Sequence, residues 1–439
     1  ENLSYDNDGL LISAGAYSIS RNAANGLPEQ VSGSTLNRSR SFNGYGELTA
    51  EETTVNAQAV NGWSVTRHNN GRILSKTETV NGSTVEYAYT YDDMGRLLTV
   101  HKDGTLVEEY QYGLNGSRTY EMNSLKGEAG RSYSYSEEDH LLSAGGVSYE
   151  FDADGFLTKK THGSDVTTST YSSRGELLQV TLPGGKSIEY LHDPLGRRIA
   201  KKINGTIVEK YLWLGLTQLM AVYDGSDSLL IRFEYADGRM PVAMTAGGVT
   251  YYLGYDQVGS LRTVSDATGN VVKEISYDSF GTILFDSNPA LAVPFGFAGG
   301  LHDRETGLVK FGFRDYDPAI GRWVAKDPIF FAGGDVDLYG YVESDPVNFI
   351  DPEGLEEHTK GKRPSTKGKH ETGQARRGQD YGGERGDKKR RLPRKPPTGW
   401  KGSWPPRISP WNFIPLPYLF LNDCNFPPGD KEQPHKCEA

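Results

Sequence analysis

Polar and apolar residues alternate along much of the first 355 positions, as in Thr84-Val85-Glu86-Tyr87-Ala88-Tyr89-Thr90-Tyr91. A period of two puts successive side chains on opposite faces, so such runs predict half-buried β-strands. Each run is short and ends at a turn signal. The recurring signal is Tyr or Phe, then Asp, two variable residues and Gly. Clear copies end at Gly9, Gly95, Gly155, Gly259 and Gly281, and weaker ones centre on Gly46, Gly71, Gly116, Gly175 and Gly196. Where copies adjoin, their glycines are 20 to 25 residues apart. A period of this size marks a repeat architecture. Within one repeat the Asp can bond the backbone two residues on, and the Gly supplies a positive φ. Each repeat is therefore predicted to be a β-hairpin that cannot bury its face alone, and stacked hairpins give a continuous sheet.

Composition agrees with an all-β fold. Gly is 53 of 439 residues, and Tyr at 26 outnumbers Phe at 16, which suits short strands joined by tight turns. No apolar run approaches the roughly 18 residues of a membrane-spanning helix. The longest, Ile414 to Leu421, is broken by two prolines. Two cysteines, Cys424 and Cys437, exclude a disulfide-dense scaffold or a thiolate zinc cluster.

Charge divides the chain. The net formal charge is −10, yet residues 356–439 carry 18 Lys+Arg against 10 Asp+Glu, while the first 355 carry 29 against 47. Such a reversal predicts a module boundary near residue 355. Because Glu1 falls inside a repeat, the chain reads as the C-terminal part of something longer, and the lack of a signal peptide carries no information.

The tandem Tyr-Asp motifs resemble the YD/Rhs repeats of bacterial Rhs proteins, of the C component of insecticidal toxin complexes and of animal teneurins. Residues 295–355 sharpen the resemblance. Phe297-Ala298-Gly299-Gly300 leads to Gly307 through Pro318, then Gly321-Arg322-Trp323, Asp327-Pro328, Gly333-Gly334 and Leu338-Tyr339-Gly340-Tyr341. The segment closes Pro346-x4-Asp351-Pro352-x-Gly354-Leu355. This is similar to the Rhs repeat-associated core domain, with one departure: Phe330-Phe331 stands where the family commonly has Gly-Leu. The resemblance implies a spiral of stacked hairpins forming part of a cocoon shell, here an incomplete enclosure. Expected divisions are a repeat shell over 1–294, the core domain over 295–355 and a small basic variable module over 356–439.

The resemblance also implies that the core cuts its own chain after the terminal Leu, as an aspartyl protease. The scissile bond would be Leu355–Glu356, on the charge boundary found independently. Asp327 and Asp351 are the expected catalytic pair, one ionised to activate water and one protonated to polarise the carbonyl. Arg322 or Lys326 would stabilise the ionised partner; toxin-complex relatives have Arg where Lys326 stands. Asp-Pro is also a common turn pair, and Asp345, Asp317 and Asp193 share it. Asp345 is a reserve candidate; Asp335 and Asp337 read as loop residues.

In such proteins the segment after the cut is a variable toxin held inside the shell. Lys388, Lys389, Arg390 and Arg391 form the densest basic cluster of the tail, suited to nucleic-acid phosphates. The same stretch also reads as a solvated linker. His370 and Glu371, with His358, are the polar candidates for a nuclease-like site, His acting as general acid or base. Neither a metal site nor a cofactor is implied. The implied function is that of a secreted toxin of interbacterial competition or host attack, whose tail is delivered into a target cell. Its implied partners are a cognate immunity protein, the remaining shell repeats, a delivery apparatus and a nucleic-acid target. The other reading is a YD-repeat surface protein for adhesion or carbohydrate binding, with exposed tyrosines as the contact groups and an inert tail.

Overall fold

The computed structural model describes residues 2–355 and the backbone of the short strand His358–Thr359. From Leu3 to Asp286 the chain forms a 28-stranded antiparallel sheet in which every strand pairs with its neighbours in sequence. The terminal strands Leu3–Tyr5 and Ile283–Asp286 do not pair with each other, so the sheet is open. In such a meander every second connection falls on the same edge. The clear Asp-x-x-Gly turns follow strands Leu3–Tyr5, Ser83–Tyr91, Val147–Phe151, Val249–Tyr255 and Val271–Tyr277, which are even numbers of strands apart. They therefore line one edge.

Each of these turns is built as its residues dictate. Asp92 Oδ1 accepts the amides of Met94 and Arg96 at 3.0 and 2.9 Å, while Gly95 takes φ +90°. Asp152 and Asp256 repeat the pattern. In four repeats the tyrosine that ends the strand before the turn points inward. Tyr91 Oη donates to Ile73 O at 2.8 Å, Tyr112 to Leu97 O at 2.7 Å, Tyr135 to Arg118 O at 2.7 Å and Tyr171 to Leu157 O at 2.9 Å. Each acceptor opens the strand that follows the preceding turn, so the hydroxyls rivet one repeat to the next. That role explains the excess of Tyr over Phe. The opposite edge carries two-residue turns such as Asn81-Gly82 and Asn204-Gly205, with positive φ at both positions, as a type I′ hairpin requires.

The sheet coils so that strands far apart in sequence pack together. Asn61 Nδ2 donates to Tyr255 O at 2.9 Å, and Arg38 Nη2 to Leu253 O at 2.7 Å. Arg262 meets Glu78 at 2.8 Å. Gly254 permits this approach, since a Cβ there would lie 2.7 Å from Asn61 Cβ. The strand Leu261–Ser265 is consequently buried at every position.

Residues 295–355 run across the edge that bears the Asp-x-x-Gly turns. Their strands Leu301–His302, Val309–Phe311, Arg314–Asp317 and Arg322–Trp323 form a separate four-stranded sheet over an aromatic core of Phe297, Phe311, Tyr316, Trp323 and Tyr341. Contacts to the edge are made turn by turn. Tyr339 Oη donates to Gly155 O at 2.8 Å, Ala325 bridges to Phe156, and Arg72 pairs with Asp345 at 3.0 Å. Phe313 lies against Gly196, and Phe297 against Gly281.

Candidate active site

Asp327 and Asp351 come together although 24 residues apart. Asp327 starts the turn that leads to Phe330: its Oδ1 accepts the amide of Ile329 at 2.9 Å, and its own amide donates to Leu338 O at 3.0 Å. Asp351 starts the last turn before Leu355, whose amide donates to Asp351 Oδ1 at 3.0 Å. Both carboxyls are buried. Between them stands Arg314, with Nη2 2.8 Å from Asp327 Oδ2 and 3.2 Å from Asp351 Oδ2. Its Nε donates to Gly354 O at 2.7 Å, and its guanidinium stacks 4.2 Å from the Trp323 ring centroid. Burial pulls the Arg314 pKa below the usual arginine value, against the opposing pull of the two carboxylates.

Leu355 closes the pocket. A Cβ built on Gly333 would lie 2.7 Å from Leu355 O and 2.8 Å from Asp327 Oδ2. The Leu355 carbonyl and the Asp327 carboxyl thus meet over one glycine. The remaining void is about 20 Å³, room for about one water molecule. Asp335, on the same wall, has its carboxyl pushed up to about 6 by burial and by repulsion from Asp337 and Glu343.

The cation on the pair is Arg314, which the sequence reading did not single out. Arg322 is held elsewhere, bidentate on Asp337 at 2.6 and 2.9 Å. Lys326 Nζ lies 5.8 Å from the Phe330 ring centroid. Asp345 is engaged by Arg72 and Asn348. Arg314 sits 13 residues before Asp327, and no feature of the sequence separates it from Arg322. Only the return of the chain to Leu338, which receives both the Asp327 amide and Arg314 Nη1, decides between them. Glu356, the His358 side chain, His370, Glu371 and the cluster Lys388, Lys389, Arg390 and Arg391 lie outside the described residues.

A meander of Asp-x-x-Gly hairpins, spanned along its turn edge by a segment that gathers two Asp-Pro carboxylates, defines a YD-repeat shell. The teneurin YD-shell family model matches residues 1–347, and the chain belongs to that family. Teneurin-3 of Danio rerio is 31% identical over 306 residues, covering 66% of this chain and 11% of its own length. Double-stranded DNA deaminase toxin A of Burkholderia cenocepacia (strain H111) is 28% identical over 319 residues, covering 65% of this chain and 22% of its own. The crystal structure of TcdB2-TccC3-Cdc42 superposes with a TM-score of 0.64 at 18% identity, over 80% of this chain and 20% of that one. The chain is thus a YD-repeat shell of the teneurin YD-shell family, similar in sequence to the deaminase toxin and sharing its fold with the TcdB2-TccC3 structure. It spans about a tenth of the teneurin and about a fifth of the deaminase toxin.

Proposed function

We propose that residues 295–355 hydrolyse the Leu355–Glu356 bond and free the basic tail as a toxin. The observation that carries this reading is the position of Leu355, its amide on Asp351 and its carbonyl over Gly333 beside Asp327. In the reaction a water attacks the Leu355 carbonyl carbon and gives its proton to the ionised carboxylate. The other carboxyl gives its proton to the carbonyl oxygen. Collapse of the tetrahedral intermediate breaks the C–N bond, with a proton passing to nitrogen. The products are a Leu355 carboxyl and a free Glu356 amine. Arg314 holds the two carboxyls in place and balances the charge of the ionised one.

On this reading the shell retains the tail until delivery, outside the producing cell or at its surface. Further shell repeats, a delivery apparatus and an immunity protein are its partners. The named Burkholderia relative acts on double-stranded DNA, and the Lys388–Arg391 cluster suits a nucleic-acid target by charge. A nuclease-like activity built around His370 and Glu371 is part of the proposal. For the adhesion reading, the hydroxyls of Tyr91, Tyr112 and Tyr171 are spent on main-chain carbonyls, whereas Tyr5 and Tyr45 remain exposed.

The test is intact mass spectrometry of the expressed chain beside Asp351→Asn and Asp327→Asn variants. Two fragments meeting at Leu355–Glu356 in the wild type, and one uncut chain in each variant, are expected. An uncut wild type, or cutting that survives both substitutions, would refute the cleavage.

A further inference from the structure

A second cavity, of about 410 Å³, lies between the strands Leu36–Phe42 and Leu48–Val55, the connection 235–242 and the turn 256–260. That is the size of a small-ligand pocket. It shares no lining residue with the Asp327–Asp351 pocket. Its walls are largely apolar, with Phe42, Leu48, Met240, Val258 and Ile350 among them.

Three arginines and two acids also line it: Arg38, Arg40, Arg239, Glu51 and Asp237. Their charges leave an excess of one positive. Arg40 is placed between Glu51, at 2.7 Å, and Asp237. Arg38 stands 3.9 Å from Glu51 and gives Nη2 to Leu253 O, while its buried Nε has no hydrogen-bond acceptor. Arg239 differs from both. It donates to the carbonyls of Ala298 at 2.7 Å and Gly299 at 3.3 Å, and among the described residues no carboxylate lies within 4.0 Å of it. Burial lowers its pKa, which is the expected sign of a cation short of counter-charge. Arg239 is half-buried, and a guanidinium partly withdrawn from water with no carboxylate beside it is stabilised by a bound anion.

We propose that this cavity binds a small amphipathic carboxylate, its charged head on Arg239 and its apolar body against Leu48, Met240 and Val258. The inference stands apart from the cleavage reaction, because neither its residues nor its ligand enters the Asp327–Asp351 pocket. An apolar wall with a single uncompensated cation selects for one negative charge on a hydrophobic body.

Octanoate is a suitable probe and 1-octanol its uncharged counterpart, each titrated calorimetrically into the whole 439-residue chain. The wild type is expected to bind octanoate at least ten-fold more tightly than octanol. Arg239→Gln should remove that preference and leave octanol binding unchanged. Met240→Trp, which fills the cavity, should abolish both. Thermal melts establish that each variant folds. No binding of octanoate at millimolar concentration, or equal binding by wild type and Arg239→Gln, would overturn the proposal. Should Arg239→Gln fail to fold, the wild-type ratio of octanoate to octanol decides alone, and a ratio near one is the refuting result.

Discussion

Arg314 Nη2 approaches Asp327 Oδ2 to 2.8 Å, the chain running between them through the hairpin of Arg314–Asp317 with Arg322–Trp323. The same nitrogen serves Asp351, so one guanidinium fixes the spacing of two carboxyls. Arg314→Gln should therefore slow cleavage at least a hundred-fold. Loss of one partner from a buried ion cluster should also lower stability by about 3–5 kcal/mol. Arg314→Lys keeps the charge but not the fork, and should recover stability better than rate. Denaturant titration beside a time course of fragment appearance separates the two effects.

Gly333 tests the geometry from the other side. Its substitution by Ala puts a methyl against both Leu355 O and Asp327 Oδ2. Cleavage should fall at least ten-fold, with the melting temperature measured alongside to separate local displacement of Leu355 from unfolding. Gly44→Ala, with nothing within 4 Å, is the control and should cut at the wild-type rate.

The tyrosine rivets are expected to act singly and add up. Tyr112→Phe and Tyr171→Phe each delete one hydroxyl-to-carbonyl bond between repeats. Each should cost about 1 kcal/mol, and the double variant about twice that, since the two sites are far apart in the sheet. A melting temperature unchanged in the double variant would show that the hydroxyls do not fasten the repeats.

Stability should depend on Glu108. Burial and the neighbouring Asp278 push its carboxyl up to about 7. The folded chain thus holds this proton more tightly than the unfolded chain does. The resulting stability is full below about pH 4.5 and declines as pH rises toward 7, by an amount on the order of 3 kcal/mol. Glu108→Gln should flatten this slope, gaining more at pH 8 than at pH 5 in denaturant titrations. Glu121 behaves oppositely: its burial is outweighed by Arg118, Lys126 and Arg131, which hold its carboxyl far below the usual range. Its contribution is full above about pH 4.5 and declines progressively as the pH falls below that.

Much of this was legible in the residues. The turns were readable because Asp and Gly perform local chemistry, closed within five positions of the chain. The strands were readable because alternation is local too. Asp327 and Asp351 could be singled out because their motifs carry a family resemblance, and the structure brings them together. Arg314 could not, because its choice over Arg322 depends on packing between segments that no short window contains. The bonds made by the strand-ending tyrosines were not legible for a related reason. An alternating strand tells which face a ring occupies, but not that its hydroxyl reaches a carbonyl 18 positions earlier, as Tyr91 does to Ile73.

The two edges of the sheet stand under different constraints. On one, the turns are keyed to residues 295–355 one after another, so adding or removing a hairpin there would put every later key out of step. On the other, Gly82, Gly104, Gly163 and Gly205 meet nothing within 4 Å. Length polymorphism, affinity tags and inserted reporter domains belong at those four turns, where the chain has room to grow without disturbing the lock that holds Leu355.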